Sequence, residues 1–399
     1  MKKQWIKISD LLSFQEGPGV RNTQYTTSGV KLLNVANLVD GKVDLSTSER
    51  YISEEEAYGK YKHFLCDKGD FVVASSGIKV EYIDKKMGFI DESMLPLCMN
   101  TSTIRFKVLD PSALRIRYFM YYLKSQSFKE QLTRYITGSA QLNYGPSHIK
   151  QMVMPWIPLE SQDKLIERLD RVQVIIEHKK QQLTCLDKLV KSRFVEMFGD
   201  PENNPKHWDK VSLSNVISNA NNGMARRGND TEGSIVLRLV ELQDGFIDYS
   251  SPNRIVLTEA EKKRYLLKNR DFLFARVNGN PENVGRCAEF SDIGEPVYHN
   301  DHIIRVHFDE NVINGCFASA LLNSAYGKRQ MAGQIKTSAG QYTINQEGIG
   351  AIVTVLPPLE LQNCFAAFVA EVDKSKLAVQ QSLEKLETLK KSLMQRHFG

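Results

Sequence analysis

Two short stretches, Pro158-Leu159-Glu160-Ser161-Gln162 and Pro358-Leu359-Glu360-Leu361-Gln362, lie 200 positions apart in this chain of 399 residues. After each stretch the sequence continues without Pro or Gly until it reaches Phe198-Gly199 or Phe398-Gly399. Apolar residues recur along both segments at alternating steps of three and four, which predicts one continuous helix in each. Prolines before the segments and a glycine after them are typical helix boundaries.

The apolar stripe of each predicted helix is narrow, as in the seam of a coiled coil. The predicted seam residues are Leu169, Val172, Ile176, Leu183, Leu186 and Val190 in the first helix and Val369, Val372, Val379, Leu383 and Leu386 in the second. Lys179 interrupts the first stripe, and Lys376 and Lys390 interrupt the second. Packing against another helix is the simplest role for such a stripe. Each helix of roughly forty residues would be on the order of 60 Å long.

The similarity between the two halves continues upstream of the helices, so the chain is a tandem repeat. Asn100-x-x-x-Ile104-Arg105 overlies Asn300-x-x-x-Ile304-Arg305, and Gly69-Asp70-Phe71 overlies Arg270-Asp271-Phe272. The two copies meet in the turn-rich stretch 199–205. We expect both copies to share one fold.

The part of each copy before its helix has mixed character. β-rich runs at 71–74, 103–108, 235–239 and 303–308 alternate with helical candidates such as 111–124. Ser53-x-x-Glu56 and Thr258-x-x-Glu261 have the capping-box form that opens a helix. The pattern predicts α+β domains at 1–157 and 200–357, with helices at 158–199 and 358–399. This alternation favours an antiparallel coiled coil with pseudo-twofold symmetry.

Composition excludes several classes of protein. With 42% hydrophobic and 25% charged residues the chain is an ordinary globular protein. Its apolar stretches are too short to span a bilayer and no apolar segment follows the basic start, so we expect a cytoplasmic protein without a membrane span. Six scattered cysteines lack any C-x-x-C pair, which argues against zinc or disulfides. The net charge of +5 is compatible with nucleic acid.

Motifs of common catalytic sites are missing from the sequence. It contains no G-x-x-x-x-G-K-[ST] phosphate loop, no G-x-G-x-x-G and no H-E-x-x-H. We therefore predict neither a catalytic nor a metal site in this chain. Beside a binding protein, two alternatives stay open at this point. One is a self-sufficient DNA-modifying enzyme with an unrecognised site, and the other is a coiled-coil scaffold whose domains bind nucleic acid or protein.

Basic and amide side chains in the predicted loops are the candidate DNA contacts. Arginine bridges guanine and Asn or Gln bridges adenine in the major groove, while lysine and arginine neutralise phosphates. A solvated loop explains any single one of them, and the prediction rests on the set. The candidates are Lys79, Lys85, Lys86, Gln141 and Asn143 in the first copy and Arg226, Arg227, Arg276, Asn278, Asn280, Arg286, Lys328, Arg329 and Gln341 in the second.

Taken together, these features resemble the specificity (S) subunit of type I restriction-modification systems. The resemblance covers essentially the whole chain and rests on the alternation of domains and helices, the Pro-Leu-Glu-x-Gln motifs, the join from Met197 to Trp208 and the Asp-Phe strands. The family's Ala-Arg-x-Gly turn is Ala74-Ser75-Ser76-Gly77 in the first copy and Ala275-Arg276-Val277-Asn278-Gly279 in the second. An arginine role at that turn therefore carries over only to Arg276.

The resemblance implies a non-catalytic subunit with two target-recognition domains, each reading one half of a split, asymmetric site in double-stranded DNA. Its helices would bind two methyltransferase (M) subunits and set the distance between the half-sites. Restriction and motor (R) subunits would then join the complex. S-adenosylmethionine, ATP and magnesium are expected in those partners, and no cofactor is expected in this chain.

Overall fold

The computed structural model of the chain describes residues 4–136, 143–230, 232–338 and 340–399. Its contacts divide the chain into two units. Unit 1 consists of Met1–Lys180 and Ser382–Gly399, and unit 2 consists of Gln181–Gln381. Each unit therefore contains one mixed domain together with part of each long helix.

Unit 1 contains eleven of the strands described and five short helices, followed by the start of a long helix. The strands are β1 (Gln4–Lys7), β2 (Leu12–Glu16), β3 (Val30–Leu33), β4 (Leu38–Val39), β5 (Lys42–Val43), β6 (Tyr51–Ile52), β7 (Phe71–Ala74), β8 (Met87–Phe89), β9 (Leu97–Met99), β10 (Thr103–Val108) and β11 (Val153–Trp156). The helices are α1 (Ile8–Leu11), α2 (Glu54–Tyr58), α3 (Ile116–Leu123), α4 (Gln126–Tyr135), α5 (Pro146–Ile149) and the long α6 (Leu159–Phe198).

Unit 2 repeats this succession of strands and helices. Its strands are β12 (Asp209–Ser212), β13 (Ile217–Asn222), β14 (Ser234–Leu237), β15 (Arg254–Ile255), β16 (Phe272–Ala275), β17 (Val277–Asn278), β18 (Cys287–Glu289), β19 (Val297–His299), β20 (Ile303–Phe308), β21 (Lys336–Ser338), β22 (Gln341–Thr343) and β23 (Val353–Leu356). Its helices are α7 (Glu259–Tyr265), α8 (Gly315–Leu322), α9 (Ala325–Ala332) and α10 (Gln346–Gly350), followed by the start of the long α11 (Leu359–Phe398), whose end belongs to unit 1.

The two units share the order of three sheets, whereas β4-β5 pairs only in unit 1 and β17-β22-β21 only in unit 2 among the described residues. The four-stranded antiparallel sheet has the order β2-β10-β7-β8 in unit 1 and β13-β20-β16-β18 in unit 2. A three-stranded sheet with one parallel pair has the order β6-β3-β9 or β15-β14-β19, and the first and last strands of each domain pair as β1-β11 and β12-β23. The expectation that both copies share one α+β fold is confirmed.

Most predicted elements have the expected bounds, and two differ for local reasons. Strands β7, β10 and β20 coincide with the predicted runs. The helix predicted at 111–124 begins only at Ile116, because the carboxylate of Asp110 holds the N–H of Ser112 in a turn at 2.8 Å. The run predicted at 235–239 ends at Leu237, because the N–H of Arg238 turns to the carboxylate of Glu241 at 2.7 Å.

The two long helices run antiparallel within each unit. The contacts in unit 1 are Gln173 with Lys390 (2.6 Å) and Lys180 with Glu387 (3.5 Å), and those in unit 2 are Asp187 with Lys376 (2.8 Å) and Arg193 with the ring of Phe368 (5.7 Å). In each unit the residue number rises in α6 as it falls in α11, which is the order expected of antiparallel helices.

The predicted seam residues lie on the less exposed side of both helices. Those that are buried are Leu169, Val172, Ile176, Val372 and Val379, and those that are half-buried are Leu183, Leu186, Val190, Val369, Leu383 and Leu386. The interrupting lysines are half-buried as well, and Lys376 and Lys390 end on polar partners of α6. This burial favours the predicted seam.

The Pro-Leu-Glu-x-Gln motif places a fully buried glutamine at the start of each long helix. Gln162 accepts the N–H of Arg115 at 2.9 Å and donates to the carbonyls of Ala113 and Ile157 at 3.0 and 2.8 Å. Gln362 makes the same three bonds, with Asn314, Val312 and Pro357. Because buried amides need hydrogen-bond partners, the motif ties each helix to the segment before α3 or α8.

Candidate nucleic-acid interface

The turn after β16 in unit 2 holds Arg276 at a defined place. Its N–H donates to the carbonyl of His302 at 2.7 Å, and its carbonyl accepts the N–H of Ile344 at 2.9 Å. The guanidinium is half-buried, and its Nη1 donates to the carbonyl of Asp301 at 3.2 Å. The neighbouring sheet β17-β22-β21 extends from this turn. Arg276 is therefore fixed at both its backbone and its side chain.

The turn between β19 and β20 brings Arg227 to the same place. Its Nη1 lies 2.6 Å from a carboxylate oxygen of Asp301, and its Nη2 lies 3.0 Å from Nε2 of His302. Since an arginine only donates, the imidazole must accept this bond as the neutral ring. We call Arg227, Arg276, Asp301 and His302 the turn cluster.

The electrostatics of the turn cluster agree with a neutral His302. Burial lowers the pKa of the imidazole, the carboxylate of Asp301 opposes that change, and the positive charges of Arg227 and Arg276 lower the pKa further. The ring therefore charges only at a pH below its ordinary value of 6.5. At neutral pH its Nδ1–H is a hydrogen-bond donor beside two guanidinium groups.

The equivalent turn of unit 1 has the same backbone bonds with small side chains. Ser75 donates its N–H to the carbonyl of Ser102 at 2.8 Å, and its carbonyl accepts the N–H of Tyr144 at 2.9 Å. The hydroxyl of Ser76 donates to that of Ser102 at 2.6 Å. Asn143 forms a bridge with Ser76 at this turn. The two units thus share the backbone hydrogen bonds of this turn, which we call the frame, and differ in the side chains on it.

Of the predicted amide candidates in unit 2, Asn278 and Asn280 shape their own loop, while Gln341 lies in a strand. The side-chain oxygen of Asn278 accepts the N–H of Asn280, and that of Asn280 accepts the N–H of Glu282, at 2.9 and 3.0 Å. Gln341 is exposed in β22, opposite Ser338 of β21. Gln141, predicted as a DNA contact, lies outside the described residues.

The remaining predicted cations of unit 2 lie in ion pairs outside the turn cluster. Arg286 and Lys328 share the carboxylate of Asp244, at 3.2 and 2.7 Å. Arg226 pairs with Glu261 at 3.0 Å, and Arg329 pairs with Glu202. The structure therefore separates the predicted cations of unit 2 into three ion-paired groups and the turn cluster.

The predicted lysines of unit 1 follow β7. Lys79 is exposed just before a 3-10 turn at Val80–Lys85, and Lys85 Nζ lies 5.5 Å from the ring centroid of Tyr82. Lys86 is half-buried, and its carbonyl accepts the N–H of Ala74 at 2.8 Å. Among the carboxylates that the structure describes, none forms an ion pair with these three lysines.

Sequence reasoning missed Asp301 and His302. They directly follow Asn300, which the repeat aligned with Asn100, and they correspond to Thr101 and Ser102. Both asparagines are buried, and each accepts a backbone N–H of the turn that follows it. A change from two hydroxyl side chains to a carboxylate and an imidazole at repeated positions is the signal that could have identified them.

No cluster of three His, Cys, Asp or Glu residues with the arrangement of a metal site occurs within the described ranges. Among the helices of the described residues, none combines the length and apolar character needed to cross a bilayer.

Comparison with known proteins connects this geometry to a family. Residues 5–185 match the Type I restriction modification DNA specificity domain. The chain is 26% identical to the specificity subunit of the type I restriction enzyme StySPI of Salmonella potsdam, over 70% of this chain and 64% of that protein. It is 22% identical to the EcoKI specificity subunit of Escherichia coli K12, over 73% and 67%. The matches thus span about two thirds of these curated relatives.

Solved structures show the same fold over the full length. The S subunit of a type I restriction-modification system from M. genitalium has a TM-score of 0.57 at 16% identity, covering 100% of this chain and 96% of that chain. A chain from a structural study of complex assembly in the type I R-M system has a TM-score of 0.58 at 13% identity, with 99% and 97% covered. The fold of this chain is thus that of solved S subunits, and its sequence is similar to the specificity subunits of type I restriction-modification systems.

Proposed function

We propose that this chain is the DNA-reading subunit of a type I restriction-modification complex and that it recognises a split, asymmetric site in double-stranded DNA. One observation carries the proposal. Two units of one fold hold different side chains on the same turn, Ser75 and Ser102 in unit 1 and Arg276 and His302 in unit 2. Because side chains read base edges while the frame positions them, each unit reads its own half-site.

The chemistry of the candidates suggests a division of roles. Lys79, Lys85 and Lys86 suit phosphate contacts, since no described carboxylate competes for them. Arg276 suits a base contact because its position is fixed in advance. The candidates that are exposed and bound in ion pairs, Arg226, Lys328 and Arg329, stabilise their loops, as does the half-buried Arg286. They can exchange a carboxylate for a phosphate at small cost, since exposed pairs contribute only about 0–1 kcal/mol.

Partner subunits complete the proposed activity. Two M subunits would transfer methyl groups from S-adenosylmethionine, and R subunits would use ATP and magnesium, in a cytoplasmic complex. The structural relative from a study of type I complex assembly supports such partners.

The long helices also carry exposed apolar side chains, including Val174, Leu189, Leu377 and Leu389. Exposed apolar groups of this kind suit a protein partner better than DNA. The similarities favour this subunit over a scaffold or a self-sufficient enzyme.

Domain exchange tests the proposal. Replacing residues 1–157 by the first domain of a relative is expected to change one half-site and to leave the other intact, because each unit reads DNA through its own loops. Sequencing of methylated sites in cells that carry the hybrid complex measures both halves. A change in both half-sites would contradict independent reading, and an absence of sequence-dependent methylation with the parent complex would contradict the proposal.

Arg276 permits a test at a single residue. Arg276→Ala is expected to weaken binding to the cognate site by roughly 1–3 kcal/mol if the guanidinium contacts a base, with a smaller loss on unrelated DNA. Binding is measured on both DNAs at one salt concentration. Arg264→Ala is the matched control, since Arg264 is exposed on α7 and its removal deletes the same charge. Equal losses on cognate and unrelated DNA would make Arg276 a phosphate contact.

A further inference from the structure

The turn cluster combines a frame that both units share with side chains that only unit 2 has. A Cβ on Gly17 would lie 2.1 Å from the carbonyl oxygen of Asn100, and a Cβ on Gly223 would lie 2.2 Å from that of Asn300. The backbone at these glycines therefore lies in close contact with the same turn in both units. Since the frame is constant, the side chains at positions 301 and 302 are where the two units can differ in what they read.

Asp301 holds both arginines of the cluster. Its carboxylate oxygen lies 2.6 Å from Arg227 Nη1, and its carbonyl accepts from Arg276 Nη1 at 3.2 Å. These residues are far apart in sequence, so nothing local fixes their side chains. A neutral residue at position 301 would keep the carbonyl contact to Arg276 and lose the ion pair to Arg227. Asp301 thus has the geometry of a positioning residue.

The cluster leaves donors available for a ligand. Within the described residues, the Arg276 guanidinium, which has five N–H groups, makes one hydrogen bond, to the carbonyl of Asp301. His302 accepts from Arg227 at Nε2 and therefore keeps its proton on Nδ1 as a further donor. Guanine is the base that presents two acceptors, O6 and N7, side by side in the major groove, and arginine bridges them.

We propose that the turn cluster is a guanine-reading site for the second half-site, in which Arg276 contacts the base, the carboxylate of Asp301 positions Arg227 beside it, and His302 adds specificity through its ring N–H. This inference rests on the proposed function. It adds two residues, Asp301 and His302, and the identity of one base. The serines at the equivalent turn of unit 1 cannot form the same bidentate contact.

The test uses the full chain assembled with its methyltransferase subunits. A library of duplexes with random sequence is selected by binding, first with the parent complex and then with Asp301→Asn, Asp301→Glu and His302→Ser. The parent is expected to select a guanine in the second half-site. Asp301→Asn is expected to reduce the preference for that guanine severalfold, because it releases Arg227 but keeps the carbonyl contact to Arg276. The reduction should stay below the roughly 5- to 150-fold that loss of a whole bidentate arginine contact would cause. Asp301→Glu is expected to restore part of the preference.

Controls separate positioning from a general loss of structure. Glu295→Gln changes a carboxylate that pairs with Arg254 at 2.5 Å, at the other end of β19, and is expected to keep the parental preference. His302→Ser introduces the residue that the frame of unit 1 already accepts, and it tests the site if Asp301→Asn fails to fold. Replacing the selected guanine by 7-deazaguanine removes N7 and is expected to weaken the parent complex but not Arg276→Ala.

The outcomes distinguish this inference from the proposed function. Sequence-selective binding without a guanine in the second half-site would overturn the guanine assignment. An unchanged guanine preference in folded Asp301→Asn and His302→Ser complexes would overturn the roles of both residues. Binding by the parent complex without any sequence preference would instead overturn the proposed function.

Discussion

Phe398→Ala is expected to destabilise unit 1 by about 3–5 kcal/mol, the usual cost of truncating a fully buried phenylalanine. Phe398 ends α11 and is completely buried in the core of unit 1. Its ring centroid lies 5.2 Å from that of Tyr118 and 5.9 Å from that of Tyr122, both on α3. Removing the ring leaves a cavity among rigid aromatic side chains that cannot close around it. The last turn of α11 should then detach from this core.

Hydrogen exchange measures this effect unit by unit. We expect faster exchange in β10 and α3 of the Phe398→Ala variant and unchanged exchange in β20 and α8. Phe198→Ala is the reciprocal control, since Phe198 is buried in the core of unit 2 against Phe317 and Phe365. It should accelerate exchange in β20 and α8 alone. Loss of protection in both units from either variant would show that the units do not unfold separately.

Asp70→Ala is expected to cost unit 1 a similar amount, about 3–5 kcal/mol, because removing one partner of a buried ion pair leaves the other charge uncompensated. Asp70 and Arg105 are both buried, with 3.1 Å between Oδ2 and Nη1. Asp70 also accepts the N–H of Asp67 at 2.9 Å and lies 3.2 Å from Lys107 Nζ. All of these contacts are lost together in the variant.

The repeat supplies a matched control for this prediction. Asp271, the equivalent of Asp70, lies 3.9 Å from Arg305 and 3.2 Å from His307 Nδ1. Since its arginine contact is longer, Asp271→Ala is expected to destabilise unit 2 by less than Asp70→Ala destabilises unit 1. Urea unfolding followed by hydrogen exchange in β10 and β20 compares the two. A larger effect of Asp271→Ala would mean that the length of the arginine contact does not set the cost.

Features that depend on neighbours in sequence could be predicted without a structure. The bounds of α6 and α11 follow from apolar periodicity and from the flanking prolines and glycines. Likewise, Thr258 and Glu261 cap α7 reciprocally, with bonds of 3.3 and 2.8 Å, as the capping-box spacing predicts. In α2 only half of the box forms, because the side chain of Glu56 binds Gln24 instead. Even this local motif was therefore altered by a partner from another part of the domain.

By itself the sequence determined the duplication, the α+β class of each copy and the two long helices, since repetition and periodicity are properties of residue order. Only the tertiary structure decided which candidate cations act together. Arg227 meets Asp301 and His302 across 74 and 75 residues, while Arg286 and Lys328 converge on Asp244 instead. Such contacts between distant residues depend on the order of the strands in the sheet. That order depends on long-range packing, which no local sequence pattern encodes.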